Sequence, residues 1–229
     1  FSLITDASTS IKHSLIKHLF LIIISLFTKA IKYLNDRFGI EAEEVSFKEL
    51  FFGLGIFSAL TKTKDPRNLG DVCTLGRGEL RPMWELLKSV FGLSNHSLSL
   101  IITVFMENLP SSSPQSNFSQ KCIAMGNKLK EKFQNLLGEN GVFIYPTLPE
   151  AAIKHNTIFL KGFDVNYTTV FNVLEMPSTH CTLELSENGL PLGFQIMTLP
   201  FNDRLSIAMA VELEKEFGGW TPPCDVKLG

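Results

Sequence analysis

Apolar residues recur at intervals of three and four along residues 166–174, which predicts an amphipathic helix. Pro177 ends this helix, because the proline ring disfavours the α conformation for the residue before it. Residues 178–185 and 192–198 are then predicted strands. Between them stands Asn188-Gly189, a dipeptide that tolerates the positive φ of a tight turn. The two strands are therefore expected to form a hairpin.

Gln195 is a polar residue inside the apolar second strand of this hairpin. A buried amide must find hydrogen-bond partners. We therefore expect Gln195 either to tie two backbone segments together or to face a site, and the pattern favours the structural role.

Helical patterns occur in four other places. One of them begins with Ser46-Phe-Lys-Glu49, a capping-box pattern. The last is expected to be capped by Asn202 or Asp203 and to end at a glycine pair. These helices are predicted at residues 29–38, 46–60, 119–137 and 203–217.

Residues 141–146 form a short, fully apolar run. Such runs are typical of strands in the middle of mixed or parallel sheets. Helices that alternate with short apolar strands indicate an α/β architecture.

Residues 82–109 have an unusually apolar character. Pro82 suits the first turn of a helix, and Trp84, Leu87 and Phe91 follow along that helix. A second helix, expected to begin at residues 94–95, is apolar nearly all round. Such a helix is either fully buried or in contact with lipid, and composition alone leaves both alternatives open.

Residues 15–27 are rich in Leu, Ile and Phe and are flanked by lysines. The uninterrupted run, residues 19–27, is much shorter than the about 20 residues that a membrane-spanning helix needs. A signal peptide would have this basic flank, but Phe27-Thr28-Lys29 is a poor cleavage site. Three interpretations stay open: a buried or interfacial helix, a signal-like or anchoring segment, or sequence foreign to the rest of the chain.

The composition narrows the class of protein. A chain of 229 residues, 45% of them hydrophobic, is long enough for one well-buried domain. A net charge of −2 argues against nucleic acid as a partner, because phosphate binding requires a basic face. The four cysteines form no Cys-x-x-Cys pair, so neither a metal site nor a disulfide framework is predicted, and no cofactor is expected.

No catalytic motif is visible. There is no Gly-x-Ser-x-Gly elbow, the strand-to-helix turn that presents a nucleophilic serine. His155 and His180 could each be drawn into a histidine mechanism with Asp164 and a serine. We interpret His155 as a solvated loop residue and His180 as a partner of neighbouring backbone. The chain begins with Phe, so we expect it to be a fragment or a processed product.

A series of motifs in the second half of the chain resembles a known family. These are Thr168, Phe171 and Asn172 on the helix, then Pro177, then residues 189–195 with the sequence Gly-Leu-Pro-Leu-Gly-Phe-Gln. The series is similar to the C-terminal part of the amidase-signature family, and in particular to its fatty-acid amide hydrolases. The resemblance covers residues 28–220 and is specific in its second half.

The resemblance implies a fold and a domain division. The fold is the C-terminal part of the amidase-signature fold, a mixed twisted sheet covered by helices. Residues 1–27 would be an unmatched apolar segment, residues 28–222 part of an amidase domain with hydrophobic cap helices at 82–109, and residues 223–229 a tail.

The resemblance also implies a serine amidase that hydrolyses long-chain fatty-acid amides. In the family, a Gly/Ser-rich loop carries two serines, and a lysine upstream of it acts as the base. No such loop occurs in this chain. We therefore expect no catalytic residue here and no activity of the chain alone. The alternative is a non-catalytic fragment that associates with a membrane or with lipid.

The resemblance assigns further roles. It implies a membrane-associated protein, on the cytoplasmic side or at the endoplasmic reticulum or lipid droplets, and it admits a homodimer. Asn172 and Gln195 would hold backbone segments in place. Substrate contacts are expected from Tyr167, Thr168 and Phe171. The membrane cap, which would dip into one leaflet, is expected to comprise Trp84, Leu87, Phe91, Ile101, Ile102 and Phe105.

Overall fold

The computed structural model describes residues 3–5, 14–64, 69–75, 78–154, 161 and 164–222. His155 and the predicted tail lie outside these residues. The strands are β1 Leu3–Thr5, β2 Ala42–Glu44, β3 Val142–Pro146, β4 Ser178–Leu185 and β5 Pro191–Met197. The helices are α1 Ser14–Phe38, α2 Gly53–Lys64, α3 Leu69–Cys73, α4 Pro82–Val90, α5 Leu98–Glu107, α6 Asn117–Leu137, α7 Asn166–Val173 and α8 Asp203–Phe217.

The five strands form one mixed sheet in the order β2-β1-β3-β5-β4. Strand β1 runs parallel to β2 and to β3, whereas β5 is antiparallel to both β3 and β4. The apolar strand β3 lies in the middle, and all five of its residues are buried. The predicted α/β fold with a mixed sheet is confirmed.

Side chains alternate between the two faces of the sheet, so each face supports its own core. On the first face, Phe143 and Tyr145 of β3 pack with an aromatic cluster from α6 and α7. On the second face, Val142 and Ile144 pack with α1 and α8. The apolar alternation along one strand therefore places helices on both sides of the sheet.

The N-terminal apolar segment belongs to α1, which continues unbroken to Phe38. Leu26, Ala30 and Leu34 are fully buried, and the ring of Phe27 lies 5.0 Å from the ring of Phe194 on β5. For residues 26–34 the structure shows a helix with one side packed in the core, and residues 27 and 28 are consecutive residues of it. Among the described residues, no helix combines the length and the apolar character that crossing a membrane would require.

Several helix starts differ from the sequence-based predictions. The helix predicted to begin at Ser46 does not begin with that residue at its N-cap. Phe47 takes the N-cap position without a side-chain cap, a 3₁₀ turn (Lys48–Phe52) precedes α2, and Glu49 pairs instead with Lys132 at 2.5 Å. Helix α5 begins at Leu98, a few residues later than predicted.

The last helix has the predicted N-cap residue but a different contact. Asn202 stands at the N-cap of α8, yet its side chain makes no capping bond. Its Nδ2 donates instead to the carbonyl oxygen of Glu139 at 2.8 Å. At Glu49 and at Asn202 the side chain that the local pattern had assigned to a cap thus contacts a distant segment instead.

Candidate functional site

Helices α4 and α5 form a helical pair with a largely exposed apolar side, which we name the α4–α5 surface. Pro82 begins α4, and the Ser97 hydroxyl caps α5 by accepting a hydrogen bond from the Leu100 N–H. No residue of α4 is buried. The exposed apolar residues of the surface are Met83, Trp84, Leu86, Leu87, Val90, Phe91, Leu93, Leu98, Ile102, Phe105, Met106 and Leu109.

Five of the six predicted cap residues lie on this surface, with Phe91 69% and Trp84 57% exposed. The sixth, Ile101, is buried. Ile101 and Val104 are both 1% exposed and form the inward side of α5. Val104 lies close to Gly70 of α3 and to Leu80. Because α5 is apolar all round, its pattern could not show which side would pack inward.

The charged groups next to the surface are paired. The Lys88 Nζ lies 2.7 Å from the Glu85 carboxylate, and the Ser94 hydroxyl donates to the other Glu85 oxygen at 2.7 Å. The Lys88 ammonium and the Ser94 hydroxyl together hold the pKa of Glu85 below its ordinary value. The Lys88 Nζ also lies 6.0 Å from the centroid of the Trp84 ring. These contacts fasten α4 to the turn before α5.

A second contact attaches the pair to the body of the protein. The Nζ of Lys62, on α2, donates to the carbonyl oxygen of Glu107 at 2.7 Å. That oxygen belongs to the last residue of α5, where the helix dipole favours a cation. Both side chains are only 15% exposed. The orientation of α5 relative to α2 is thus set by a largely shielded contact.

The predicted substrate residues on α7 lie mostly in the core. Tyr167 is 7% and Phe171 2% exposed, and both rings stack in the aromatic cluster around Tyr145. Thr168 is half-buried, and its hydroxyl donates to the Val165 carbonyl oxygen at 3.2 Å. Of the three, Thr168 therefore keeps surface that another molecule could touch.

Gln195 joins three segments of the first face. Its Nε2 donates to the carbonyl oxygens of Pro146 at 3.0 Å and Tyr167 at 2.7 Å, and its Oε1 accepts from the Ser178 hydroxyl at 3.1 Å. These bonds connect separate backbone segments, which is the structural role that the sequence predicted for Gln195. Asn172, by contrast, is exposed and makes no side-chain hydrogen bond to any described residue, so nothing in that part of the chain supports its predicted bracing role.

The sequence analysis missed the structural role of Asn166. Its Oδ1 accepts from the Leu54 N–H at 2.6 Å, and its Nδ2 donates to the Phe51 carbonyl oxygen at 3.2 Å. These bonds join the start of α7 to the start of α2. A polar residue at the start of a helix was the available signal, but local capping explained it equally well.

An open cleft of about 540 Å³ lies between α1 and the end of α8. Two of its lining residues, Tyr33 and Arg37, contact Glu212. Glu212 accepts from the Tyr33 hydroxyl at 2.9 Å and lies 2.7 Å from both Arg37 Nε and Lys215 Nζ. The bonds from Lys215 and Tyr33 lower the pKa of Glu212, and burial raises the pKa of Tyr33. Since both carboxylate oxygens are occupied, this cluster clamps α1 to α8 and does not resemble an acid–base pair.

His180 is placed as a structural residue. Its Nδ1 lies 2.9 Å from the Thr147 hydroxyl, and the packing around the ring lowers its pKa. Asp164 does not join it. Burial raises the pKa of that carboxyl group, and Glu150 and Lys161 are the charged groups acting on it. Within the described ranges, no group of three His, Cys, Asp or Glu side chains is arranged to hold a metal ion.

Comparison with known proteins assigns the family. The model of the Amidase family matches residues 23–206. The chain belongs to this family. Fatty-acid amide hydrolase 2-A of Danio rerio is 35% identical over 198 residues, which are 84% of this chain and 36% of that protein. Fatty-acid amide hydrolase 2 of Homo sapiens is 34% identical over 201 residues, 85% of this chain and 37% of that protein. The amidase chain thus spans a little over a third of the length of these relatives.

Solved structures support the fold. Peptide amidase of Stenotrophomonas maltophilia aligns with a TM-score of 0.58 and 13% identity, over 97% of this chain and 44% of its own. Allophanate hydrolase of Kluyveromyces lactis aligns with a TM-score of 0.61 and 15% identity, over 95% of this chain and 32% of its own. At these identities the similarity shows that the amidase chain shares their fold.

Proposed function

We propose that this chain is the C-terminal portion of a serine amidase that hydrolyses long-chain fatty-acid amides. In this proposal the chain supplies part of the sheet, one wall of the substrate site and a lipid-facing surface. The serine nucleophile and its lysine base lie on other residues, since no Gly/Ser-rich loop with two serines occurs among these 229. The family and the two fatty-acid amide hydrolases at 34% and 35% identity support the amide-hydrolase reaction.

The α4–α5 surface is the observation that carries the substrate class. The exposed apolar side chains of this surface are concentrated on two adjacent helices, and such a concentration marks a protein or membrane contact site. Trp84 and Phe105 add large aromatic rings to it, which are suited to the boundary between lipid and water. A long-chain amide dissolves in lipid, so an enzyme that uses it benefits from contact with that lipid. The proposed location is therefore a membrane surface.

On α7, we assign the substrate contact to Thr168. Tyr167 and Phe171 lie behind it and support the wall from the core. Substituting Phe171 would therefore act through folding, whereas substituting Thr168 would act on the substrate. Thr168→Val removes the hydroxyl at nearly constant volume. In the chimera described below it should change the KM for amide substrates, while the lost bond to the Val165 carbonyl oxygen should cost no more than about 0.5–1.5 kcal/mol of stability.

A direct test uses the 229-residue chain with a fluorophosphonate probe, which labels activated serines. We expect no stoichiometric labelling and no hydrolysis of oleamide, because activation of a serine requires a base and an oxyanion site. A stoichiometric label, or turnover by this chain alone, would refute the proposed division of the active site.

A chimera tests the substrate class. Residues 23–217, which include the whole of α8, would replace the corresponding segment of the Danio rerio enzyme. The chimera is expected to hydrolyse oleamide presented in vesicles, and Trp84→Glu with Phe105→Glu should reduce that rate more than the rate with detergent-dispersed oleamide. Ile207→Glu with Val211→Glu on α8 is the matched control, since these residues are 52% and 46% exposed but lie off the α4–α5 surface.

The second candidate function is a non-catalytic protein that associates with lipid through the same surface. It is favoured if the chain sediments with vesicles while the folded chimera hydrolyses no amide. It is excluded if the chimera cleaves oleamide. Loss of vesicle binding in the Trp84→Glu, Phe105→Glu variant is expected under both functions, and unchanged binding would contradict both.

A further inference from the structure

We propose that the α4–α5 surface is built for an electrically neutral lipid surface, and that it does not select anionic headgroups. The inference rests on the proposed function, which supplies the lipid contact itself. What it adds is the charge class of the lipid and the residues that determine it.

The described cations beside the surface, at residues 78–116, are each paired with a carboxylate of the protein. Residues 78–116 contain two formal cations, Arg81 and Lys88. The Arg81 Nε lies 3.2 Å from the Glu79 carboxylate, and the Lys88 Nζ lies 2.7 Å from that of Glu85. A lipid phosphate would have to compete with a carboxylate of this chain for each of them.

The pair between Lys88 and Glu85 is held in place by further contacts. Glu85 is fixed by the Ser94 hydroxyl as well as by Lys88, and its side chain is 13% exposed. The remaining carboxylate of the segment, Glu107, meets Lys62 of α2. Including Lys62, three cations therefore face three carboxylates, so these three pairs, among the residues that the structure describes, carry no net charge.

Electrostatic attraction over distance does not favour an anionic membrane either. Segments that bind anionic membranes carry clusters of free lysines and arginines, and each such cation raises the partition coefficient about five-fold. The whole chain has a net charge of −2, which slightly opposes approach to an anionic surface. An uncharged fatty-acid amide gives the enzyme no reason to prefer anionic lipid either. Apolar insertion of side chains such as Trp84 and Phe105 is thus the remaining source of affinity.

The experiment measures partitioning of the full chain into phosphatidylcholine vesicles with and without phosphatidylserine, at low and at high salt. We expect the two partition coefficients to agree within about two-fold and to depend little on salt, because free cations contribute about five-fold each. The variant Glu79→Gln with Glu85→Gln frees Arg81 and Lys88. It should gain a preference for phosphatidylserine vesicles of up to about thirty-fold, lost at high salt.

The outcomes separate the inference from the proposed function. A wild-type preference for phosphatidylserine above about ten-fold, sensitive to salt, would overturn the neutral-lipid inference and leave the lipid contact standing. An unchanged ratio in the Glu79→Gln, Glu85→Gln variant would also overturn it, because the ion pairs would then not be the cause. Binding to neither vesicle, or binding retained in the Trp84→Glu, Phe105→Glu variant, would refute the lipid contact of this surface and the inference with it.

Discussion

Replacing Gln195 by leucine should destabilise the protein far more than its single amide group suggests. The side chain is 4% exposed and takes part in three hydrogen bonds, to Pro146, Tyr167 and Ser178. Leucine has a similar volume, so little cavity forms, but it offers no donor or acceptor. Each bond contributes about 0.5–1.5 kcal/mol net, so the free energy of unfolding should fall by about 1.5–4.5 kcal/mol.

Urea unfolding followed by circular dichroism measures this change. For a domain of this size the slope with urea is about 2–3 kcal/mol/M, so the midpoint should fall by about 1 M. Ser178→Ala is the matched control, because it removes one of the three bonds and leaves the two donated by Gln195. It should cost about 0.5–1.5 kcal/mol. The double variant should show a coupling of at least about 0.5 kcal/mol, since the two residues share a bond.

Two results would refute this reasoning. If Gln195→Leu unfolds within about 0.5 kcal/mol of the wild type, the network gives no net stability. If it costs no more than Ser178→Ala, the bonds to Pro146 and Tyr167 contribute nothing, and α7 must be held by its apolar contacts and by the bonds of Asn166. Amide hydrogen exchange along α7 distinguishes these cases, because a loosened helix exchanges faster.

Three further predictions follow from single contacts. Gly193→Ala should lower the free energy of unfolding in urea by about 1–3 kcal/mol, because the added Cβ would collide with the Cys181 carbonyl oxygen. The control Gly70→Ala should change it little, since the atoms nearest to its Cβ stand at 3.4 Å; equal losses for the two variants would contradict this. The folded-state pKa of Glu212 is lowered, so the stability that this carboxylate contributes is present above the unfolded pKa of about 4.3 and is lost as the pH falls through the folded pKa. Glu212→Gln should therefore flatten the dependence of unfolding free energy on pH in that acidic range. An unchanged dependence would contradict this prediction. Burial raises the pKa of Cys181 to about 11. Iodoacetamide at pH 8 should therefore modify the exposed Cys73 well before Cys181, which peptide mapping can follow. Comparable rates of modification would show that β4 opens readily.

Local sequence patterns were sufficient to predict an element where one physical signal dominated the segment. The apolar stripe at residues 166–174, the fully apolar run at 141–146 and the Asn-Gly reversal at 188–189 each correspond to an observed element. In the reversal, Gly189 takes the positive φ, 71°, as the absence of a Cβ allows. Gln195 belongs to the same class, because an amide in an apolar strand must be bonded wherever it is placed.

Other assignments depended on the partner that a side chain meets. Glu49 fitted a capping box but pairs with Lys132, far away in the chain. Ile101 and Ile102 are adjacent and chemically alike, yet Ile101 is buried and Ile102 is 39% exposed. Tyr167 and Phe171 fitted both a core stripe and a substrate wall, and the aromatic cluster around Tyr145 decided for the core.

The sequence by itself determined the class of fold, most of the helices and strands, the family and the lack of a serine loop in these residues. Periodicity and turn chemistry are short-range, so they can be read without knowing what lies across the chain. Tertiary structure alone decided which side of α5 packs inward, that Lys132 pairs with Glu49, and that Asn166 joins α7 to α2. Those outcomes depend on contacts between distant segments, and their energies are set by burial and partner geometry that no local pattern contains.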